Sequence, residues 1–247
     1  MYNFGLYHWR RRLRTILRAL AVIFSAEICR RTSESKWIRL VTTAAMIGGA
    51  VRGATAARRL LSPPPWTLNR EPYAALASAL PFAQADRALD IGCGTGRSLV
   101  GLAPSVPDSC TMLRLDVFDN RIILGNGPAL ARRNGRAADV DIAPIVGGAS
   151  RLPVATDSQD VVTACRVLHD LPAAEVDPAL REAHRVCAPQ GTLGVLELPI
   201  VPEDTTATPE EYWPERISRA GFTVSTVERV ARKGRAEPYV LVVAAPE

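Results

Sequence analysis

Apolar residues near the start of the chain follow a helical period. Between residues 9 and 29 they recur at steps of three and four, whereas Arg11, Arg14 and Arg18 fall on another face. Aromatic rings and arginines cluster at the beginning of this stretch, as is typical of an interfacial helix. The spacing therefore predicts an amphipathic helix. Its apolar positions are Trp9, Leu13, Ile16, Leu20, Phe24 and Ile28.

A second apolar run covers residues 40–51. It holds 12 uncharged residues between Arg39 and Arg52. A bilayer span needs about 20 mostly apolar residues, so the pattern does not predict a transmembrane helix. The proline run at 62–65 ends this basic arm, because consecutive prolines cannot continue a helix. The spacing after it predicts a further helix over residues 66–80.

Apolar runs of strand length alternate with helix-like stretches from residue 88 onward. This alternation predicts a mostly parallel sheet with helices on both faces. The last two runs are separated only by the short polar stretch 231–238, so we expect them to form an antiparallel hairpin. The predicted strands are 88–92, 112–116, 142–146, 160–164, 193–198, 222–230 and 239–245.

Charge divides the chain into two parts. Residues 1–70 contain 13 Lys and Arg against 2 Asp and Glu, whereas residues 71–247 contain 17 against 23. We therefore predict a basic helical arm over residues 1–61 and an α/β domain over residues 62–247. The five cysteines include no C-x-x-C pair, so the sequence predicts neither a disulfide framework nor a metal site, and suits a reducing compartment.

The arm admits three interpretations. The first is a helix that rests on an anionic membrane surface through residues 1–60. The second is a pair of helices packed on the domain. The third is a targeting peptide or a nucleic-acid arm. Its cations lie among apolar helix positions rather than in a polar tail, which favours lipid over nucleic acid. The predicted location is cytoplasmic, with peripheral attachment to a membrane and organellar targeting left open, and the sequence assigns no oligomeric state.

A glycine-rich turn follows the first strand of the domain. The segment reads Asp90-Ile91-Gly92-Cys93-Gly94-Thr95-Gly96, and ligands of open α/β sheets bind at such turns. The glycine spacing differs from the G-x-G-x-x-G of dinucleotide sites, so nicotinamide dinucleotides are not expected to bind. Asp90 would repel a pyrophosphate but suits a cationic ligand. Asp116, at the end of the second strand, can accept hydrogen bonds from ribose hydroxyls.

These motifs resemble those of class I S-adenosylmethionine-dependent methyltransferases of the small-molecule type, over about residues 66–247. The family's cofactor loop matches residues 90–96, its ribose-binding acid matches Asp116, and its adenine segment matches residues 147–154. Its fourth strand matches residues 158–162, and the helix and turn before its fifth strand match residues 180–191. The resemblance implies a Rossmann-like, seven-stranded, mostly parallel sheet and S-adenosyl-L-methionine as cofactor. The implied cofactor-binding residues are Asp90, Gly92, Cys93, Gly94, Gly96, Asp116, Val117, Ala149, Ser150 and Cys165.

An acceptor that is a hydroxyl or an acidic carbon needs a base to take its proton. His169, just after the fourth strand, is the predicted base, and Glu197, near the end of the fifth, is a second candidate for touching the acceptor. We expect a small or lipid-like acceptor. An RNA methyltransferase whose arm binds phosphates and a cofactor-binding domain without turnover are the alternatives. The acceptor pocket is predicted to lie between Trp66 and Tyr73 on one rim and Tyr212 and Trp213 on the other.

Overall fold

The computed structural model describes residues 1–62, 64–140, 143–202 and 205–247. Two compact units divide the chain: Met1, Leu68–Phe118 and Gly127–Glu247 form one, and Tyr2–Thr67 and Asp119–Asn126 form the other. The helices are α1 (Trp9–Thr32), α2 (Lys36–Leu60), α3 (Glu71–Ser78), α4 (Arg97–Leu102), α5 (Pro128–Arg136), α6 (Ala173–Val186) and α7 (Pro209–Arg219). The strands are β1 (Leu6–Tyr7), β2 (Arg87–Ile91), β3 (Thr111–Asp116), β4 (Ile123–Leu124), β5 (Pro144–Val146), β6 (Gln159–Cys165), β7 (Cys187–Glu197), β8 (Phe222–Val230) and β9 (Tyr239–Pro246).

The larger unit is built on a seven-stranded sheet in the order β5-β3-β2-β6-β7-β9-β8. The first five strands of this order are parallel, whereas β9 is antiparallel to both β7 and β8. The predicted fold is therefore confirmed, including the C-terminal hairpin. Chain order reverses between β2 and β6, and at such a switch point the carboxyl ends of the strands leave a crevice.

Both faces of the sheet are buried, which explains why its strands are apolar almost throughout. Alternate residues of β6 belong to opposite cores, since Val161 packs with α3 and α4 whereas Val162 packs with α6 and α7. Strand side chains alternate between faces, so one strand supplies both cores. This arrangement leaves the strand ends as the place where polar groups can meet.

The predicted boundaries differ most from the structure at three places. The helix predicted over 66–80 is the shorter α3, which has Pro72 in its first turn, a position that favours a helix start. The strand predicted over 142–146 is β5, which begins at Pro144. Ile142 lies outside the described residues, as does Pro63 of the proline run. Residues 188–191, expected to be a turn, lie inside β7, where pairing to β6 shifts register between Gln159 and Val161.

The smaller unit contains the predicted arm helix, which is confirmed as α1, followed by α2. Residues 33–35 alone connect them, so the pair forms a helical hairpin. Strands β1 and β4 pair antiparallel beside it. Helix α2 extends past Arg52 to Leu60, and by length and composition it is the one helix in the described part of the chain that could cross a membrane.

The contact between α3 and α4 gives a test of the packing. A Cβ added to Gly101 would lie 2.4 Å from Cγ of the buried Tyr73, so Gly101→Ala should lower the free energy of unfolding by about 1–3 kcal/mol through overpacking. The matched exchange Gly48→Ala, in a helix with nothing within 4 Å of the added atom, should be neutral or stabilise by up to about 1 kcal/mol. Urea unfolding of both variants measures this, and equal stability of Gly101→Ala and the wild type would contradict the packing.

Candidate active site

The glycine loop after β2 has a backbone that requires its glycines. Gly92, Gly94 and Gly96 have φ values of 74°, 51° and 83°, in the left-handed region that side chains disfavour. The N–H groups of Gly92 and Cys93 both donate to the Leu115 carbonyl, at 2.7 and 3.0 Å. These bonds turn the loop toward the end of β3.

Gly92 has a second reason to lack a side chain. A Cβ there would lie 2.3 Å from Cγ2 of Val167, so the segment that follows β6 packs directly on the glycine loop. Val167 precedes the short 3-10 turn Leu168–Asp170. The loop and the predicted base, His169, are therefore neighbours at the carboxyl edge of the sheet.

Asp116, at the end of β3, is held against the same loop. Its Oδ2 accepts a hydrogen bond from the Gly94 N–H at 2.9 Å, and its Oδ1 accepts one from the Phe118 N–H at 2.6 Å. Its carbonyl accepts the Gly147 N–H at 3.0 Å, which brings the predicted adenine segment alongside. The carboxylate is half-buried at the end of the strand.

The remaining predicted cofactor residues lie around these two features. Val117 is exposed beside Asp116, Ala149 is buried, and Ser150 is half-buried in a turn that an isolated bridge between Gly148 and Arg151 closes. The thiols of two further predicted residues, Cys93 and Cys165, are buried, and burial raises the pKa of both. Their side chains therefore stay protonated and uncharged at neutral pH.

Asp90 is completely buried, and the structure gives it partners within the protein. Ser98 Oγ donates to its Oδ2 at 2.5 Å, and Thr163 Oγ1 donates to its Oδ1 at 2.9 Å. Burial raises the pKa of Asp90 to about 6, although the two hydroxyls oppose the rise. The carboxyl thus joins β2 to α4 and β6 beneath the glycine loop.

His169 and Glu197 form a buried pair. His169 Nδ1 lies 2.6 Å from Glu197 Oε2, and the Glu197 side chain is fully buried. Its Oε1 accepts the N–H groups of Val167 and Leu168 at 2.8 and 2.7 Å, and Oε2 also accepts the Leu198 N–H at 3.1 Å. The carboxylate therefore fixes both the backbone of the turn and the orientation of the imidazole ring.

This arrangement corrects the expectation that Glu197 touches the acceptor, since all four of these donors are protein groups. The pair also makes His169 more basic. Burial lowers the pKa of His169, but the hydrogen bond and the charge of Glu197, with help from Asp170, outweigh burial and raise it above its usual value. The ring is thus a stronger base than a free imidazole.

The predicted rims of the acceptor pocket are wrong in the larger unit. Tyr212 and Trp213 of α7 are both buried in the core on the α6 and α7 face, and Tyr73 is buried against α4. Trp66 belongs to the smaller unit. The amphipathic period of α7 turns its aromatic residues inward, where the sheet needs apolar cover.

Several residues that support the site had no assigned role in the sequence analysis. Ser98 and Thr163 hold Asp90, and the buried Asn134 of α5 donates from Nδ2 to the Thr95 carbonyl at 2.7 Å, which ties the glycine loop to α5. Arg166, between β6 and the 3-10 turn, has a φ of 59°, which is strained for a side-chain residue. Ser98, eight residues after Asp90, was the one signal in the sequence for these contacts. A serine at that position indicates the start of a helix as readily as a partner for the carboxyl group.

The arrangement fits S-adenosylmethionine. The left-handed glycines leave the loop backbone open to close approach, Asp116 presents a carboxylate for two hydroxyls, and the buried charge of Asp90 favours a cation. No group of three or more His, Cys, Asp and Glu residues suited to a metal ion occurs in the described ranges.

Comparison with known proteins identifies the segment that carries this site. Residues 89–195 match the family model for a methyltransferase domain, which confirms the family resemblance. A demethylmenaquinone methyltransferase from Lactobacillus johnsonii is 34% identical over 112 residues, 45% of this chain and 43% of that protein. A 27-O-demethylrifamycin SV methyltransferase from Amycolatopsis mediterranei is 32% identical over 156 residues, 62% and 52% of the respective chains. The chain thus spans about half the length of these relatives.

A solved structure has the same fold. The Burkholderia thailandensis 1,6-didemethyltoxoflavin-N1-methyltransferase, crystallised with 1,6-didemethyltoxoflavin and S-adenosylhomocysteine, has a TM-score of 0.53 and 16% identity, with 72% of this chain and 79% of that chain covered. At this identity the likeness concerns the fold of the sheet and its helices.

The buried carboxyl of Asp90 predicts a dependence of stability on pH. Its pKa in the fold, about 6, exceeds the ordinary 3.8, so between these values the folded state binds more protons and stability falls as pH rises. At about 1.4 kcal/mol for each pH unit between the two pKa values, the loss is about 3 kcal/mol. Asp90→Asn should remove it, so the variant should gain about 3 kcal/mol relative to the wild type between pH 4 and pH 7 in urea unfolding. The exposed Asp108→Asn is the control, and a difference that does not change with pH would contradict the assignment.

Proposed function

Because residues 89–195 form a methyltransferase domain of the S-adenosylmethionine-dependent class, we propose that this protein methylates a small or lipid-like acceptor and uses the His169–Glu197 pair to take the acceptor's proton. The observation that carries the proposal is the contact between Val167 and Gly92, which joins the turn of His169 to the glycine loop. A base next to the cofactor loop suits proton removal at the point of methyl transfer.

In this proposal the glycine loop and the end of β3 hold the cofactor. Asp116 accepts hydrogen bonds from the ribose hydroxyls, and backbone groups of Ala149 and Ser150 contact the adenine, since Gly148 offers no side chain. When bound, S-adenosylmethionine supplies an electrophilic methyl group on a sulfonium. The chain's task is to orient the acceptor in line with that methyl group and to exclude water.

His169 acts as the base through Nε2. The carboxylate of Glu197 accepts a hydrogen bond from Nδ1–H, and this tautomer leaves the Nε2 lone pair free to take a proton from a hydroxyl or an acidic carbon. Protonation of the ring is stabilised by Glu197 and, at 3.6 Å from Nε2, by Asp170. Glu197 is thus a positioning residue, whereas His169 is the proposed catalytic residue.

The acceptor in this proposal carries an acidic hydroxyl or an acidic ring carbon. The names of the two curated relatives, which refer to demethylmenaquinone and to 27-O-demethylrifamycin SV, support a cyclic, largely apolar acceptor. The basic arm, residues 1–60, supports methyl transfer at an anionic membrane surface on the cytoplasmic side, where an apolar acceptor would be dissolved.

Binding of S-adenosylmethionine should depend on Asp116. Asp116→Ala removes charge-assisted hydrogen bonds to the ribose and should weaken binding by about 1–3 kcal/mol, measured by isothermal titration. Asp108→Ala, which removes an exposed acid, is the control and should bind like the wild type. Equal affinity of the Asp116 variant and the wild type would refute the ribose assignment.

The pH profile of kcat/KM should reveal the His169–Glu197 pair. Activity requires neutral His169, so the rate rises with pH through its pKa, and Glu197→Gln should move this acid limb to lower pH because the charge that raises the pKa is lost. His169→Gln should lower the rate by about 10²–10⁴-fold. The assay follows tritiated methyl transfer to 1,4-dihydroxynaphthalene, a ring with acidic hydroxyls.

His184→Gln is the matched control, because this histidine lies in α6 with its ring edge against Phe222. It should leave the profile unchanged. Binding of S-adenosylhomocysteine to each variant shows that the site is folded. An acid limb that stays in place in Glu197→Gln would contradict the pairing, and full activity of His169→Gln would contradict the base.

A further inference from the structure

The contact between α1 and α2 is centred on small residues, with Ile23 packed on Gly49. A Cβ added to Gly49 would lie 2.9 Å from Cγ1 of Ile23, and one added to Gly53 would lie 3.2 Å from Cβ of Ala19. Gly49 and Gly53 form a G-x-x-x-G pair, which lets two helix backbones approach closely. The buried residues of the two helices are Ala19, Ala26, Thr42, Gly49 and Ala56.

The large apolar side chains of the hairpin lie on the outside. Phe24 is 68% exposed and Val41 is 66% exposed. The exposed large apolar residues of α1 are Leu13, Leu17, Leu20, Val22, Phe24 and Ile28, and those of α2 are Trp37, Ile38, Leu40, Val41, Ile47 and Val51. Twelve large apolar side chains are thus exposed on two adjacent helices, more than the scattered exposed apolar residues of a water-soluble surface.

The distribution is the reverse of that in a helical pair stabilised by water. In water, large apolar side chains fill the contact and polar residues face outward. In a bilayer, the lipid chains are as apolar as leucine, so large side chains face lipid and small residues form the contact. The hairpin follows the second rule on both helices.

Charge marks the ends of the hairpin. Between Arg18 and Glu27, and between Arg39 and Arg52, neither helix carries a charge. The amino-terminal part of α1 and the carboxyl-terminal part of α2, adjacent in a hairpin, hold eight arginines and no acid: Arg10, Arg11, Arg12, Arg14, Arg18, Arg52, Arg58 and Arg59. At the turn, Glu27 pairs with Arg30 and Arg31. The end with the eight arginines suits contact with anionic headgroups.

We propose that the α1–α2 hairpin inserts into the acyl-chain region of an anionic bilayer and so anchors the protein as an integral component. Residues 40–57 carry Arg52 as their sole charge, and at 1.5 Å per residue this length is about 27 Å, close to the thickness of about 30 Å of the hydrocarbon core. Arg52 can extend its guanidinium toward the headgroups. The inference deepens the proposed work at a membrane surface, but it rests on the hairpin and not on the chemistry of the site.

The full-length protein is tested by flotation with vesicles of phosphatidylcholine and phosphatidylglycerol. The wild type should float and stay bound through washes with high salt and with alkaline carbonate, and detergent should release it. Phe24→Lys combined with Val41→Lys places two charges in the uncharged segments, and should lower the bound fraction about tenfold or more. Thr32→Lys combined with Ser62→Lys adds the same charge at exposed positions outside the uncharged segments and should leave binding unchanged.

Three results would overturn the inference. Release of the wild type by salt alone would indicate a peripheral, electrostatic contact. Equal loss or equal retention of binding in the two double variants would exclude insertion of the uncharged segments. Failure to float, together with a dimer in solution that Phe24→Lys combined with Val41→Lys converts to a monomer, would assign the apolar surface to a second copy of the chain. Affinity for S-adenosylmethionine without vesicles should be the same in the wild type and in all variants. Absence of binding in the wild type would count against the proposed function and not against the membrane anchor.

Discussion

The sheet of the larger unit is covered on both faces, and this constraint decides where polar chemistry can occur. Strand residues alternate between two apolar cores, so a polar side chain in mid-strand needs an internal partner. At the carboxyl ends of the parallel strands the chain leaves the sheet, so backbone N–H groups of the following segments become available as partners. Asp116 and Glu197 both stand at such ends, and the glycine loop begins at a third.

Asp90 shows what happens one step inside that edge. It lies within β2, is fully buried and accepts hydrogen bonds from two hydroxyls on different elements. The buried carboxylate of Glu197 likewise accepts hydrogen bonds, from backbone N–H groups and an imidazole. In both cases a buried carboxylate is satisfied by groups brought from distant parts of the chain, so each acid also aligns the elements that supply its donors.

Periodicity and glycine spacing were sufficient to predict the strands of the seven-stranded sheet, the C-terminal hairpin, helix α1 and the position of the glycine loop. These features depend on residues that are neighbours in sequence. The partners of Asp90 and Glu197 could not be predicted in the same way, because Ser98, Thr163 and the Val167–His169 turn reach them only through the strand order. The same limit explains the error at Tyr212 and Trp213, since an amphipathic helix has an apolar face but its sequence does not say which cavity or core that face meets.

The strand order has a further consequence for biosynthesis. Strand β9 lies between β7 and β8 although it follows both along the chain. On the ribosome, β7 therefore presents an open hydrogen-bonding edge until residues 239–246 have left the exit tunnel, and β8 has to wait for the same segment before it can join the sheet. Glu197, at the end of β7, thus stays on an unpaired border strand from its own synthesis until residues 239–246 have emerged and paired with β7.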